Sequence, residues 1–69
     1  MDNKFDEGDI LWFFNEKYPL YCNKQIVITD VPTKNKPYYR VMFIESGQKA
    51  KTSEKNIRVT KVPKFQRLY

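Results

Sequence analysis

No stretch of ten residues in this chain carries the apolar spacing of an amphipathic helix, and this constraint excludes a helical fold. Five short segments instead have the alternation or the β-branched and aromatic content of strands, and turn-forming residues separate them. These segments are residues 10–14, 25–31, 38–44, 49–52 and 57–60. The pattern therefore predicts an all-β protein built from five short antiparallel strands.

The alternation of side chains along each segment predicts the core. In the third segment Tyr39, Val41 and Phe43 share one face, which we expect to be buried, and Arg40 lies on the opposite face. Trp12 lies in the first segment, where apolar residues occupy both faces. We expect it in the core as well, and outward display at an interface is the alternative. A single helical turn is predicted over residues 53–56, directly before the last strand.

The chain has no means of cross-linking itself. It has 69 residues, one cysteine and no histidine, which excludes a disulfide scaffold and a Cys/His zinc site. A chain of this length forms one domain and has few elements to cover exposed strand edges, and closure into a small barrel removes such edges. We therefore expect a barrel over residues 5–62, a flexible N-terminus over residues 1–4 and a basic aromatic tail over residues 63–69.

Four features follow one another in a familiar order: Gly8-Asp9 before the first strand, a long first loop, a tight turn at Ser46-Gly47 and the short helical turn. This order resembles a small SH3-like barrel of the KOW or Tudor kind. The resemblance implies a five-stranded antiparallel SH3-like barrel with one short helical turn before the last strand, and a role in binding RNA, DNA, peptides or protein assemblies. Residues 9–46 lack the glycine of the KOW pattern, and spacing assigns no aromatics to a methyl-lysine cage, so neither ligand is carried over. The size and basic charge also resemble those of small phage-encoded accessory proteins.

Residues that carry out catalysis are scarce. Without histidine the chain lacks the usual general base near neutral pH, and both serines, Ser46 and Ser53, lie in predicted turns. We interpret Cys22 as a loop or core thiol, and the acidic segment 6–9 as a solvated turn rather than a magnesium site. We therefore expect no enzymatic activity, no cofactor, no metal and no small-molecule substrate.

No apolar run approaches the about 20 residues that a membrane-spanning helix needs. The first residues, Met1-Asp2-Asn3-Lys4, lack the basic start and the apolar core of a signal peptide. We therefore expect a cytoplasmic protein, in the host cytoplasm if the chain is viral, with no membrane partner.

The charge is distributed unevenly along the chain. The net charge is +5, but residues 1–16 hold five acidic residues against one lysine, and residues 31–69 hold ten basic residues against two acidic ones. We expect low-specificity binding of DNA or RNA through a basic β-face and the tail, with phosphate neutralisation and with stacking on a tyrosine. The candidate residues are Lys34, Lys36, Tyr38, Arg40, Lys49, Lys51, Arg58, Lys61, Lys64 and Arg67. The strand cations at positions 40, 49, 51 and 58 are expected to form one patch.

A protein-interaction module is the second interpretation. Exposed aromatic and apolar residues of the first loop and the tail would dock on a partner with an acidic surface, for example a host protein regulated by a phage-encoded chain. The candidate residues are Tyr18, Leu20, Tyr21, Phe65 and Tyr69. A contiguous basic face with an exposed Tyr38 would favour nucleic acid, whereas a large exposed apolar patch would favour a protein partner.

Overall fold

The computed structural model describes residues 3–63, which contain five strands and two short 3-10 helices. The strands are β1 (Ile10–Phe13), β2 (Lys24–Asp30), β3 (Tyr39–Phe43), β4 (Lys49–Thr52) and β5 (Ile57–Arg58), and the 3-10 helices are Pro19–Tyr21 and Glu54–Asn56. The predicted all-β class, the five strands and the helical turn before the last strand are confirmed. The described part of the chain contains no helix that is long and apolar enough to cross a membrane.

The five strands form one antiparallel sheet in the order β4-β3-β2-β1-β5. The chain runs back and forth from β1 to β4, and its last strand then returns to pair with the free side of β1. The two edge strands are β4 and β5, and no strand pairing joins them within residues 3–63. The sheet is open along this line, so its closure into a barrel stays a prediction.

One face of the sheet forms the core. Tyr39, Val41 and Phe43 on β3 are buried, as their alternation predicts. The phenol oxygen of Tyr39 accepts a hydrogen bond from the backbone N–H of Phe5 at 3.2 Å, and the two rings pack edge to face with their centroids 5.8 Å apart. The segment before β1 is thereby fixed to the core. The other buried apolar side chains are Phe5, Leu11, Phe13, Ile26, Ile28 and Ile57.

Trp12 does not lie in the core, and the prediction for this residue is wrong. Leu11 and Phe13 are buried, and because successive side chains of a strand point to opposite faces, Trp12 lies on the outer face. It is half-buried there, and the Lys61 ammonium lies over its ring at 5.2 Å from the centroid. Because β1 is apolar on both faces, its sequence does not show which face is buried. In the structure Leu11 and Phe13 face the core.

The pairing of β2 with β3 contains an irregularity between Ile28 and Asp30. Ile28 lies opposite Val41 and Asp30 lies opposite Arg40, so Thr29 has no partner in the register and forms a β-bulge. The Thr29 hydroxyl donates a hydrogen bond to the backbone carbonyl of Arg40 at 3.0 Å, which holds the extra residue against β3.

The turn between β3 and β4 depends on a glycine. Gly47 has a φ of 76°, which an L side chain rarely adopts, and its backbone N–H donates to the carbonyl of Phe43 at 2.7 Å. At the start of the sheet, the Asp9 carboxylate accepts the backbone N–H of Asp6 at 2.9 Å. The acidic segment therefore forms a turn in which the Asp9 carboxylate bonds the backbone of Asp6.

β5 is shorter than predicted because the chain turns back after Arg58. Asn23 lies at the end of the first loop, where its backbone N–H donates to the carbonyl of Phe13 at 2.8 Å. Its side chain forms two hydrogen bonds with the backbone of Val62. Nδ2 donates to the Val62 carbonyl at 3.1 Å, and Oδ1 accepts the Val62 N–H at 2.8 Å. Continued pairing along β1 would carry residues 59 and 60 away from Asn23, so Val59 leaves the sheet and is 66% exposed.

Substitution of Asn23 is expected to destabilise the fold through two separable effects. Asn23 has a φ of 61°, which alanine adopts only with strain, so Asn23→Ala loses both hydrogen bonds to Val62 and strains the backbone. We expect the free energy of unfolding in urea to fall by about 2–3 kcal/mol. Asn23→Gly is the matched control, because it removes the hydrogen bonds but tolerates the backbone angle, and it should lose about 1 kcal/mol less. Equal losses in the two variants would contradict the strain at this position.

Candidate nucleic-acid interface

Three basic side chains share the outer face of β3 and β4. Arg40 on β3 is directly opposite Lys51 on β4, and Lys49 lies two residues along the same strand, opposite Met42. All three are exposed, because they alternate with Val41 and Thr52, which face the core, and with the half-buried Ala50. This alternation, predicted from the sequence, places the three charges side by side. We call Arg40, Lys49 and Lys51 the basic strip.

The basic strip has no carboxylate partner within residues 3–63, where Lys24–Glu45 at 2.9 Å is the one ion pair. Arg40 and Lys51 are cross-strand neighbours, and like charges in that position destabilise a sheet. Asp30, which follows the β-bulge, lies next to Arg40 and marks the boundary of the strip on the β2 side. Asp30 therefore offsets part of the charge of Arg40 from the adjacent strand, whereas Lys49 and Lys51 have no acidic residue opposite them in the sheet.

Tyr38 lies directly before β3 and is half-buried. The ammonium of Lys51 lies over its ring at 5.2 Å from the centroid, in a cation–π contact. This contact draws Lys51 toward Tyr38 and covers one face of the tyrosine ring. Stacking of a base on that face would therefore require Lys51 to move.

Three surface grooves follow one another along the basic strip and share residues at their junctions. The first, of about 300 Å³, is lined by Lys36, Tyr38 and Arg40 among others. The second, of about 610 Å³, again contains Arg40, adds Lys49 and Lys51, and shares the acidic residue Asp30 with the first. Lys51 also lines the third, a cleft of about 460 Å³. A continuous path thus runs from the loop before β3, across the basic strip, to the cleft beyond β4.

The remaining predicted cations lie elsewhere. Lys34 is exposed in the loop between β2 and β3. Arg58 is on β5 at the opposite edge of the sheet, where its guanidinium donates to the Lys55 carbonyl and lies over the Phe14 ring at 5.8 Å. Strands β2 and β1 separate it from the basic strip, so the expected single patch that includes Arg58 does not form on the sheet. Lys61 lies over Trp12, on the same side as Arg58. Lys64 and Arg67 lie outside the described residues.

The residues predicted to contact a protein partner differ in their exposure and packing. Tyr18 is 53% exposed and Leu20 is 70% exposed, both in the first loop. Tyr21 is half-buried and belongs to the structure, because its ring packs against Phe43 at 5.1 Å and its hydroxyl donates to Gln48 at 3.3 Å. Phe65 and Tyr69 lie outside the described residues.

Two features of the surface were not found by sequence reasoning. The first is an apolar row across the outer face, in which Ile10, Val27 and Met42 are cross-strand neighbours and end at Lys49. The second is the cleft beyond β4, whose lining residues come from several separate segments. These residues are Phe13, Asn15, Tyr18, Tyr21, Phe43, Gln48, Ala50, Lys51, Thr52, Ser53 and Asn56. Their distances in sequence carry no signal, because only the folded sheet brings them together.

Residues 3–63 contain no group of three or more histidine, cysteine or acidic side chains that could hold a metal ion. Cys22 is half-buried in the first loop, where its thiol donates to the Asn15 carbonyl at 3.2 Å.

Comparison of the chain with protein-family models, with curated proteins and with solved structures finds no significant match in any of the three.

Repulsion within the basic strip can be measured by a double-mutant cycle. We expect Arg40→Gln and Lys51→Gln to show an unfavourable coupling of about 0.2–1 kcal/mol in the folded state, since the two cations are cross-strand neighbours. The measurement is the free energy of unfolding in urea for the wild type, both single variants and the double variant, at about 50 and 500 mM salt. The coupling should shrink at high salt. The absence of a coupling at low salt would show that the two side chains are not held as neighbours.

Proposed function

We propose that this protein is a non-catalytic module that binds nucleic acid with low sequence specificity. The observation that carries the proposal is the basic strip of Arg40, Lys49 and Lys51, three exposed cations on adjacent strand positions, none of which forms an ion pair within residues 3–63. A polyanion would relieve the repulsion that the folded sheet itself imposes. Such an arrangement costs stability when free and recovers it when phosphates bind.

The binding mode follows from the chemistry of the strip. Lysine and arginine side chains on the outer face of a sheet contact phosphates, and phosphate contacts position a nucleic acid without reading its sequence. Lys36 extends the path, because it lines the groove that also contains Arg40. Four neutralised phosphates would give a salt dependence of log K against log salt with a slope of about −3 for a single strand.

The other predicted cations play a secondary part in this proposal. Lys34 lies on the same loop as Lys36 and would extend the contact at that end. Arg58 and Lys61 lie near the opposite edge, and Lys64 and Arg67 belong to the tail. These cations would add long-range attraction rather than direct contacts in the same groove.

We also propose that the sheet is a small SH3-like barrel of the KOW or Tudor kind, and that the protein acts in the cytoplasm. Support for the barrel comes from the return of β5 to β1 and from the 3-10 turn of Glu54–Asn56 directly before it.

Docking on a partner protein is the second candidate function. It is favoured by the apolar row of Ile10, Val27 and Met42 on the outer face, and by the exposure of Tyr18 and Leu20 in the first loop. Apolar side chains that cross an outer sheet face provide contact area for a partner, and the flanking cations would suit an acidic one. A phage-encoded regulator of a host protein is one form of this proposal.

The decisive test distinguishes binding through the basic strip from attraction by the net charge of the protein. The variant Arg40→Gln/Lys49→Gln/Lys51→Gln should bind single-stranded DNA or RNA at least tenfold more weakly at about 50 mM salt, and its salt slope should flatten by about 2. The matched control, Lys4→Gln/Lys17→Gln/Lys55→Gln, removes the same charge from exposed positions outside the strip. It should keep the wild-type slope in a fluorescence-anisotropy titration. Equal losses in both variants would locate binding in the overall charge, and no binding of any strand by the wild type would overturn the proposed function in favour of a protein partner.

A further inference from the structure

We infer that the cleft beyond β4 holds an unpaired base, so that the protein selects single strands over duplexes. This inference rests on the proposed function, because the same nucleic acid would contact the basic strip through its phosphates. The cleft has a volume of about 460 Å³, within the range of small-molecule sites.

The floor and walls of the cleft are aromatic. Phe13 and Phe43 are buried at its base, edge to face with centroids 5.4 Å apart, and Tyr21 packs on Phe43 at 5.1 Å. Tyr18 forms the outer wall, and its side chain is 53% exposed. Packing fixes the inner rings, so the ring of Tyr18 is the one free to stack on an entering group. Stacking on aromatic side chains is the usual way in which proteins hold unpaired bases.

The polar groups of the cleft are amides. The side chain of Gln48 accepts a hydrogen bond from the Tyr21 hydroxyl at 3.3 Å, which leaves its NH₂ group without a partner within residues 3–63. Asn56 donates from its NH₂ group to the Thr52 hydroxyl at 3.1 Å, and its carbonyl oxygen likewise has no partner in that range. Asn15 also lines the cleft, and its carbonyl oxygen accepts the Lys17 N–H while its NH₂ group has no partner within residues 3–63. The cleft thus offers two amide donors and one amide acceptor, the groups that pair with the edges of a base.

The charge of the cleft selects the class of ligand. Lys51 is the one charged residue in its lining, and no carboxylate lies there. A cationic side chain such as a methylated lysine would find no anion in this lining, while the Lys51 ammonium lies over Tyr38 outside the cleft. A nucleotide, by contrast, would place its base among the rings and its phosphate at Lys51, the residue that the cleft shares with the groove over the basic strip. The bases of a duplex are stacked and paired, and are therefore excluded from such a site.

Abasic oligonucleotides provide the test, since they keep the phosphates and lack the bases. We expect the wild type to bind a base-bearing single strand about tenfold more tightly than an abasic strand of the same length, measured by fluorescence anisotropy at about 50 mM salt. Tyr18→Ala should reduce this ratio to nearly one and leave the affinity for the abasic strand within about twofold of the wild type. The side chain of Tyr18 is largely exposed, so this variant should fold.

Two further variants sharpen the result. Tyr21→Phe keeps the packing on Phe43 and removes the hydroxyl that orients Gln48, so it should lower the ratio without loss of stability. The matched control is Leu20→Ala, which changes an exposed side chain of the same loop that does not line the cleft, and it should keep the wild-type ratio.

The outcomes separate the two proposals. If base-bearing and abasic strands bind equally and with a steep salt slope, the basic strip binds nucleic acid and the base site is wrong. The base site is also overturned if Leu20→Ala lowers the ratio as much as Tyr18→Ala, or if a trimethyl-lysine peptide binds at micromolar concentration and competes with the oligonucleotide. If no strand binds, both proposals fail together.

Discussion

The structure depends on the register of β3, which pairs with β2 on one side and with β4 on the other. Its inward residues Tyr39, Val41 and Phe43 are the centre of the core, and the outward Arg40 belongs to the basic strip. A shift of one residue in this pairing would exchange the two sets, because side chains alternate between the faces. The core and the basic strip are therefore specified by the same backbone hydrogen bonds. The sequence of this strand admits one register, since only one of its faces is free of charge.

The parts of the fold that were predicted correctly carry a strong local signal. β3 has one charged and one apolar face, β4 alternates lysine with small residues, and Gly47 marks the turn between them. Each of these signals is contained within a few residues. The helical turn before β5 is predicted over residues 53–56 and is observed as the 3-10 helix Glu54–Asn56. Local chemistry is thus sufficient for the strands and for the outward direction of the basic residues.

The parts that were not predicted depend on contacts between distant segments. Trp12 was assigned to the core because β1 is apolar on both faces, and only the pairing of Leu11 with Ile26 shows which face is buried. The cleft draws on the first loop, the turn after β3 and the 3-10 helix before β5, so no spacing in the chain reveals it. Arg58 alternates with Ile57 as expected, yet the strand order takes it to the far edge. The face on which a strand side chain lies can be predicted from nearby residues, whereas the neighbours of that strand in the sheet cannot.

The β-bulge at Thr29 has a consequence for the parity of β2. Ile26 and Ile28 face inward, so by simple alternation Asp30 would face inward too and would bring a carboxylate beside the buried Tyr39. Because Thr29 has no partner on β3, the alternation of faces shifts by one residue, and Asp30 lies opposite Arg40 and is exposed. The bulge thus allows Asp30, two residues after the buried Ile28, to lie on the exposed face of the sheet. Deletion of Thr29 would regularise the pairing and leave Asp30 on the outer face opposite Arg40, so the bulge accommodates one extra residue without carrying a negative charge into the core.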